Sequence, residues 1–93
     1  MIRVRFYTED PSRLFWEDGR AKLFDLLHRF FPKGCNVSTT DGIWEGIAED
    51  SIVIEVIGNY SVNYCNSFAD KVKETFKQES VLYTREIVEA TLR

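Results

Sequence analysis

Histidine is almost missing from this sequence, and its scarcity removes much of ordinary active-site chemistry. His28 is the only one, set between Leu27 and Arg29 in a helical pattern. A lone histidine there reads as a surface or boundary residue rather than a catalytic base. The two cysteines, Cys35 and Cys65, share no CxxC or Cys/His spacing, which argues against a zinc site and against a disulfide framework. Cys65 is expected to be a buried helix residue and Cys35 a free thiol at a strand start. The five glycines form neither GxGxxG nor GxxxxGK[ST], so a nucleotide-binding loop has no support. Asp41, Glu45, Glu49 and Asp50 crowd together without the spacing of a calcium loop and read as a solvated hairpin. No catalytic residue, metal or cofactor is expected.

Long apolar runs are absent too. No stretch approaches the roughly 20 apolar residues of a membrane-crossing helix. The opening Met1-Ile2-Arg3-Val4-Arg5-Phe6 alternates apolar and charged residues, unlike a secretory leader. A soluble protein of the cytoplasm (the host cytoplasm if the chain is viral) is the expectation, with no membrane partner. Basic charge is also in short supply. The formal net charge is −3, whereas a general grip on phosphates needs a basic surface.

Apolar and aromatic residues, by contrast, are plentiful. A 93-residue chain that is 44% hydrophobic and 14% aromatic is suited to one domain, spanning 1–93, with one modest core. Ile2, Val4 and Phe6 alternate with Arg3, Arg5 and Tyr7 as in a half-buried strand. Asp10-Pro11 then reads as an N-cap and first-turn proline. Trp16, Leu23, Leu27 and Phe30 recur at helical spacing, joined by Phe24, Leu26 and Phe31. Gly19 weakens that pattern, so residues 8–18 read either as part of the helix or as a loop before a shorter one. Pro32 and Gly34 end it.

Residues 35–47 are β-rich but interrupted by Asp41-Gly42 and Gly46, which suggests an edge strand bent at a glycine or bulge. Glu49-Asp50 then reads as a tight connection into Ser51-Ile52-Val53-Ile54-Glu55-Val56-Ile57, whose continuous apolar character suits a central strand. Ser61 is a candidate N-cap for a helix whose apolar face carries Val62, Cys65, Phe68, Ala69, Val72 and Phe76. A last strand begins near Ser80. Residues 85–93 extend it or form a short helix. The order strand-helix-strand-strand-helix-strand makes a ferredoxin-like α+β two-layer sandwich, with antiparallel sheet order 4-1-3-2, the economical topology.

Helices on one face leave the other face of the sheet open. If Ile2, Val4 and Phe6 face the helices, Arg3, Arg5 and Tyr7 face outward. Burying Glu55 unpaired would be costly, which turns Ile52, Ile54 and Val56 inward and places Val53, Glu55 and Ile57 on the open face. Glu55 then lies within reach of Arg3 or Arg5. RNA-binding domains of the same topology stack bases on aromatics of the central strands. The run 51–57 has no aromatic, so nucleic acid is an unfavoured partner.

Three short motifs add a resemblance. Phe31-Pro32-Lys33-Gly34, Gly42-Ile43-Trp44-Glu45-Gly46 and Phe76-Lys77-Gln78-Glu79-Ser80-Val81-Leu82 follow the pattern FP-x-G, G-x-W-x-G and F-x-Q-E-S-V-L, with Glu49-Asp50-Ser51 between as E-x-S. Over residues 31–82 the chain resembles a group of small bacterial and bacteriophage proteins of uncharacterised role. The resemblance implies a ferredoxin-like fold. A phage or mobile-element origin would imply a protein that acts on a host protein. The motifs also have a structural reading: Gly42 and Gly46 bend the strand, Trp44 fills the bend, Phe76 caps the core, and Gln78-Glu79 satisfy backbone groups in the following turn. A recognition cluster of Trp44, Glu45, Gln78 and Glu79 is the alternative.

These readings point to a non-enzymatic protein-interaction module, a homodimer or a binder of another protein, acting through Arg3, Arg5, Tyr7, Val53, Glu55 and Ile57, with Trp44 at their margin. A small-molecule binder or minor enzyme of the dimeric α/β-barrel kind is the competing expectation.

Overall fold

The structure, a computed structural model, describes residues 1–9 and 12–93, and for residues 12–17, 44 and 48–50 it describes the backbone alone. The expected Asp10-Pro11 helix start and the side chains of Trp16 and Trp44 therefore lie outside the described residues. The elements are β1 (Ile2–Glu9), α1 (Ser12–Phe30), β2 (Asn36–Trp44), β3 (Ile47–Gly58), α2 (Val62–Phe76) and β4 (Leu82–Ile87). They form a small α+β fold with one four-stranded antiparallel sheet. Its hydrogen-bonded order is β2-β3-β1-β4, which counted from the β4 edge runs 4-1-3-2. β1 and β3 are the central pair.

Alternation decides which side of that pair is buried. Val4 and Phe6 of β1 and Ile52, Ile54 and Val56 of β3 pack with Leu23, Leu26, Leu27 and Phe31 and with Cys65, Phe68, Ala69, Val72 and Phe76 in one cluster. Phe6 is its hub, with its ring centroid 4.7 Å from that of Phe68 in an edge-on contact. Such tilted aromatic pairs add stability beyond the area they bury. The β1–β3 ladder pairs Arg5 with Glu55 and Phe6 with Ile54, so the charged pair lies on one face and the core pair on the other.

α1 runs unbroken across Gly19, which is buried within the helix. Its apolar face is narrower than the sequence suggested: Phe24 is exposed and lies under the Arg20 guanidinium, 5.1 Å from its carbon to the ring centroid. α2 begins as its sequence indicates, with Ser61 Oγ accepting from the Tyr64 N–H at 3.1 Å. Val62, expected on the buried face, is exposed in this first turn. At the other end Lys77 adopts the left-handed conformation (φ 53°) and closes the helix.

Two expectations about β2 and β3 are corrected. The tight turn is at Glu45-Gly46, not at Glu49-Asp50, and the latter pair lies within β3 opposite Gly42 and Asp41. Both turn residues have positive φ, 50° and 78°, as a two-residue hairpin of the type I′ class requires if it is to match the twist of its strands. β2 is also neither bulged nor interrupted. Its register runs from Asn36↔Glu55 to Trp44↔Ile47 without a skipped residue, because Gly42 is accommodated in the ladder and the bend falls at Gly46. β1 ends opposite Ser51, so β2 and β3 continue beyond it as a two-stranded ribbon.

β4 stops at Ile87. Val88 N–H then donates to the Met1 carbonyl at 3.0 Å and the Met1 ammonium donates to the Val88 carbonyl at 3.3 Å, and residues 88–93 form neither strand nor helix. No helix among the described residues is long and apolar enough to cross a membrane.

Candidate interaction surface

The side of the sheet away from the helices gathers most of the residues singled out from sequence. Arg3 and Arg5 project from β1 to this side, Glu55 from β3 and Glu86 from β4, because each is a register partner of the next: Arg5↔Glu55 and Arg3↔Glu86. Arg5 Nε donates to Glu55 Oε2 at 2.8 Å, and Arg3 Nη1 donates to Glu86 Oε1 at 3.0 Å. Longer ion pairs cross between them, Arg3 to Glu55 and Arg5 to Glu86, both at 3.8 Å. The hydrogen bond to Glu55 raises the Arg5 pKa above its ordinary value, with burial opposing and the two carboxylates adding to the rise. Arg3 Nε is buried and finds no hydrogen-bond partner among the described residues.

The network is electrically balanced, two guanidinium groups against two carboxylates. Around it stand Tyr7, Val53, Ile57 and Leu82. Ile57 is 41% exposed and Leu82 64%, with Val53 half-buried. Pairing offsets part of what these ions lose when water leaves, and the apolar margin supplies the driving force.

Glu86 and Leu82 were not found from sequence, because nothing there decided how far the last strand ran. The signal was present only in the pairing: a strand antiparallel to β1 that carries Glu86 opposite Arg3 must also place Leu82 opposite Tyr7.

Of the alternative cluster of Trp44, Glu45, Gln78 and Glu79, Gln78 turns to the helix side of the sheet. Gln78 Oε1 accepts the hydroxyl of Thr8, a buried residue of β1 that points toward the helices. Its backbone N–H donates to the Lys73 carbonyl at 3.1 Å. Gln78 thus ties the end of α2 to the central sheet with its side chain, rather than satisfying the turn backbone with it. Glu79 and Glu45 are exposed, and neither makes a described contact with Gln78. Phe76 does cap the core at the helix end. His28 is exposed on α1.

Among the described residues, no three histidine, cysteine, aspartate or glutamate side chains gather as metal ligands would. Both cysteines are free thiols, Cys65 buried and Cys35 half-buried. Desolvation raises the pKa of each, and at Cys65 Arg85 opposes the rise.

Neither a family model nor a curated protein matches the sequence. Among solved structures, the fold is similar to a phage SAM lyase in its apo state, with a TM-score of 0.61 and 16% identity over 91% of this chain and 78% of that one. A de novo designed protein, Foldit4, aligns with a TM-score of 0.49 and 12% identity over 95% of this chain and 96% of that one. At 16% identity the likeness to the lyase concerns the fold alone.

Proposed function

We propose that the chain is a non-enzymatic protein-interaction module whose open sheet face is its binding surface. The observation that carries this reading is the composition of that face: a self-paired Arg3/Arg5/Glu55/Glu86 centre bordered by exposed Tyr7, Ile57 and Leu82 and half-buried Val53. Apolar groups left together on one face are a mark of interaction sites. The sheet order and the helices on one face favour a ferredoxin-like assignment. Likeness to a phage protein fits a chain encoded by a phage or mobile element and acting on a host protein.

The test is recovery of one defined host protein by the wild-type chain, compared with Val53→Glu and Ile57→Glu. Loss of that protein by both variants, with circular dichroism unchanged, supports the reading. Equal recovery by all three chains would sink it.

The fold likeness to a SAM lyase favours a second reading, a small-molecule binder or minor enzyme. S-adenosylmethionine carries a carboxylate that a guanidinium can hold and cationic groups that a carboxylate can face, and the open-face network offers both. Saturable thermal stabilisation by S-adenosylmethionine, or its consumption on incubation with the chain, would displace the first reading in favour of this one.

A further inference from the structure

β2 presents a surface independent of the open face, namely its outer backbone edge. The strand is nine residues long, lies at the end of the sheet order and keeps an unbroken register with β3. Exposed edges of this kind are normally blunted by lysine, proline, a bulge or short length. β2 has none of these: it reads Asn-Val-Ser-Thr-Thr-Asp-Gly-Ile-Trp, with Asp41 its one charge. The opposite edge, β4, has six residues and carries adjacent Arg85 and Glu86.

The turn determines which groups point outward. In a two-residue hairpin the closing pair, here Trp44↔Ile47, is hydrogen-bonded across the ladder. Counting back by twos, Gly42, Thr40, Ser38 and Asn36 bond β3 in the same way, and the residues between them, Val37, Thr39, Asp41 and Ile43, direct their N–H and C=O groups away from it.

We propose that this edge pairs antiparallel with β2 of a second copy of the chain, about a two-fold axis at Thr40. Outward-pointing residues must meet outward-pointing residues, which restricts the registers available. The one centred on Thr40 uses the whole strand. It sets Val37 against the partner's Ile43 and Asp41 against the partner's Thr39. A shift that centred the pairing on Asp41 would instead oppose like charges. Val37 and Ile43 are 40% and 79% exposed in the single chain, and both gain a cross-strand neighbour.

Charge completes the match. Glu45, exposed at the hairpin tip, and Lys33, exposed ahead of β2, lie at opposite ends of the strand, so antiparallel pairing brings opposite charges to the same end. Symmetry makes this happen twice. The product is one continuous antiparallel sheet with all helices on the same side, and it leaves both open faces uncovered.

The test combines solution mass with amide exchange on the full chain. A dimer is expected, with the amides of Val37, Thr39, Asp41 and Ile43 protected at high concentration and losing that protection on dilution. Those of Ser38 and Thr40, directed at β3, keep theirs. Thr39→Pro removes one outward donor without touching the β3 ladder and yields a monomer of unchanged circular dichroism. Lys33→Glu raises the dissociation constant about tenfold, a like-charge effect that Glu45→Lys in the same chain reverses. Ile57→Glu, on the open face, leaves the dimer intact. A wild-type chain that stays monomeric at hundreds of micromolar overturns the proposal. So does a dimer whose outward amides of β2 exchange freely.

Discussion

Arg5 and Glu55 are Cα partners in the β1–β3 ladder, and the Arg5 Nε donates to Glu55 Oε2 at 2.8 Å. Glu55 also faces Arg3, 3.8 Å from its Nε, so one carboxylate serves two cations. Glu55→Gln therefore leaves both guanidinium groups dependent on Glu86. The expected outcome is a lower urea midpoint at low ionic strength and a smaller difference from wild type at high salt, where exposed charges are screened. Arg5→Lys does not substitute for the wild-type residue, because an ammonium lacks the planar fork that reaches both carboxylates. A Glu55→Gln chain with a salt-independent deficit would assign the loss to packing instead.

Phe6 sits where both layers meet. It is fully buried and its ring contacts those of Phe68, Phe31 and Tyr83, with centroids at 4.7, 6.0 and 5.4 Å. Phe6→Ala is expected to cost about 3–5 kcal/mol. Domains of this size have total stabilities of about 5–15 kcal/mol, so the variant should be partly unfolded at 37 °C by circular dichroism. Phe6→Leu keeps most of the volume and should fold with a smaller loss.

The hairpin turn gives a third expectation. Glu45 holds φ at 50° without being glycine, a conformation that costs an ordinary residue about 1–2 kcal/mol. Asparagine tolerates it better, so Glu45→Asn should raise the thermal midpoint. Gly46→Ala should lower stability by about 1–2 kcal/mol, since its φ of 78° then carries a Cβ. Equal midpoints for all three chains would mean that the ribbon melts apart from the domain.

The contrast between that turn and the rest of the fold shows what the sequence made legible. Period-two alternation in Ile2–Tyr7 and the apolar run 52–57 sufficed to place Arg3, Arg5 and Glu55 on one face, because burial of a lone carboxylate under the helices would be too costly to overlook. The turn was misplaced because Glu49-Asp50 has the polar composition of a turn, whereas Glu45-Gly46 is distinguished only by backbone angles that Gly46 permits and Glu45 endures. Glu86 and Leu82 were hidden for another reason. They follow from register, a long-range property that the local pattern of residues 81–87 does not encode. Gln78 was read as a turn residue by its position, yet its partner Thr8 lies 70 positions away.

That long-range pair yields a fourth expectation. Thr8 is a buried polar residue whose hydroxyl donates to Gln78 Oε1. Gln78→Ala strands the hydroxyl and should cost about 1–3 kcal/mol, the penalty for an unsatisfied buried donor. Adding Thr8→Val removes the stranded group and should recover much of the loss. A double variant no more stable than Gln78→Ala would show that the glutamine acts through packing.

Burial sets the last expectation, which concerns alkaline pH. Desolvation raises the folded-state pKa of Cys35, Cys65 and Tyr60. A raised folded value means that the unfolded chain loses its protons first as pH increases. The stability tied to these neutral groups is thus fully present below their unfolded pKa values and declines as pH rises through the ordinary thiol and phenol ranges toward the raised values. Urea midpoints should be flat through neutrality and fall in that alkaline window. Cys65→Ala should make the fall shallower, although it also lowers stability at every pH by leaving a small cavity at a fully buried position. Thiol labelling supplies an independent check: half-buried Cys35 should react in the native protein, more slowly than a free thiol, and Cys65 only at the rate of unfolding. Rapid labelling of both thiols at neutral pH would contradict the packing of α2 against the sheet.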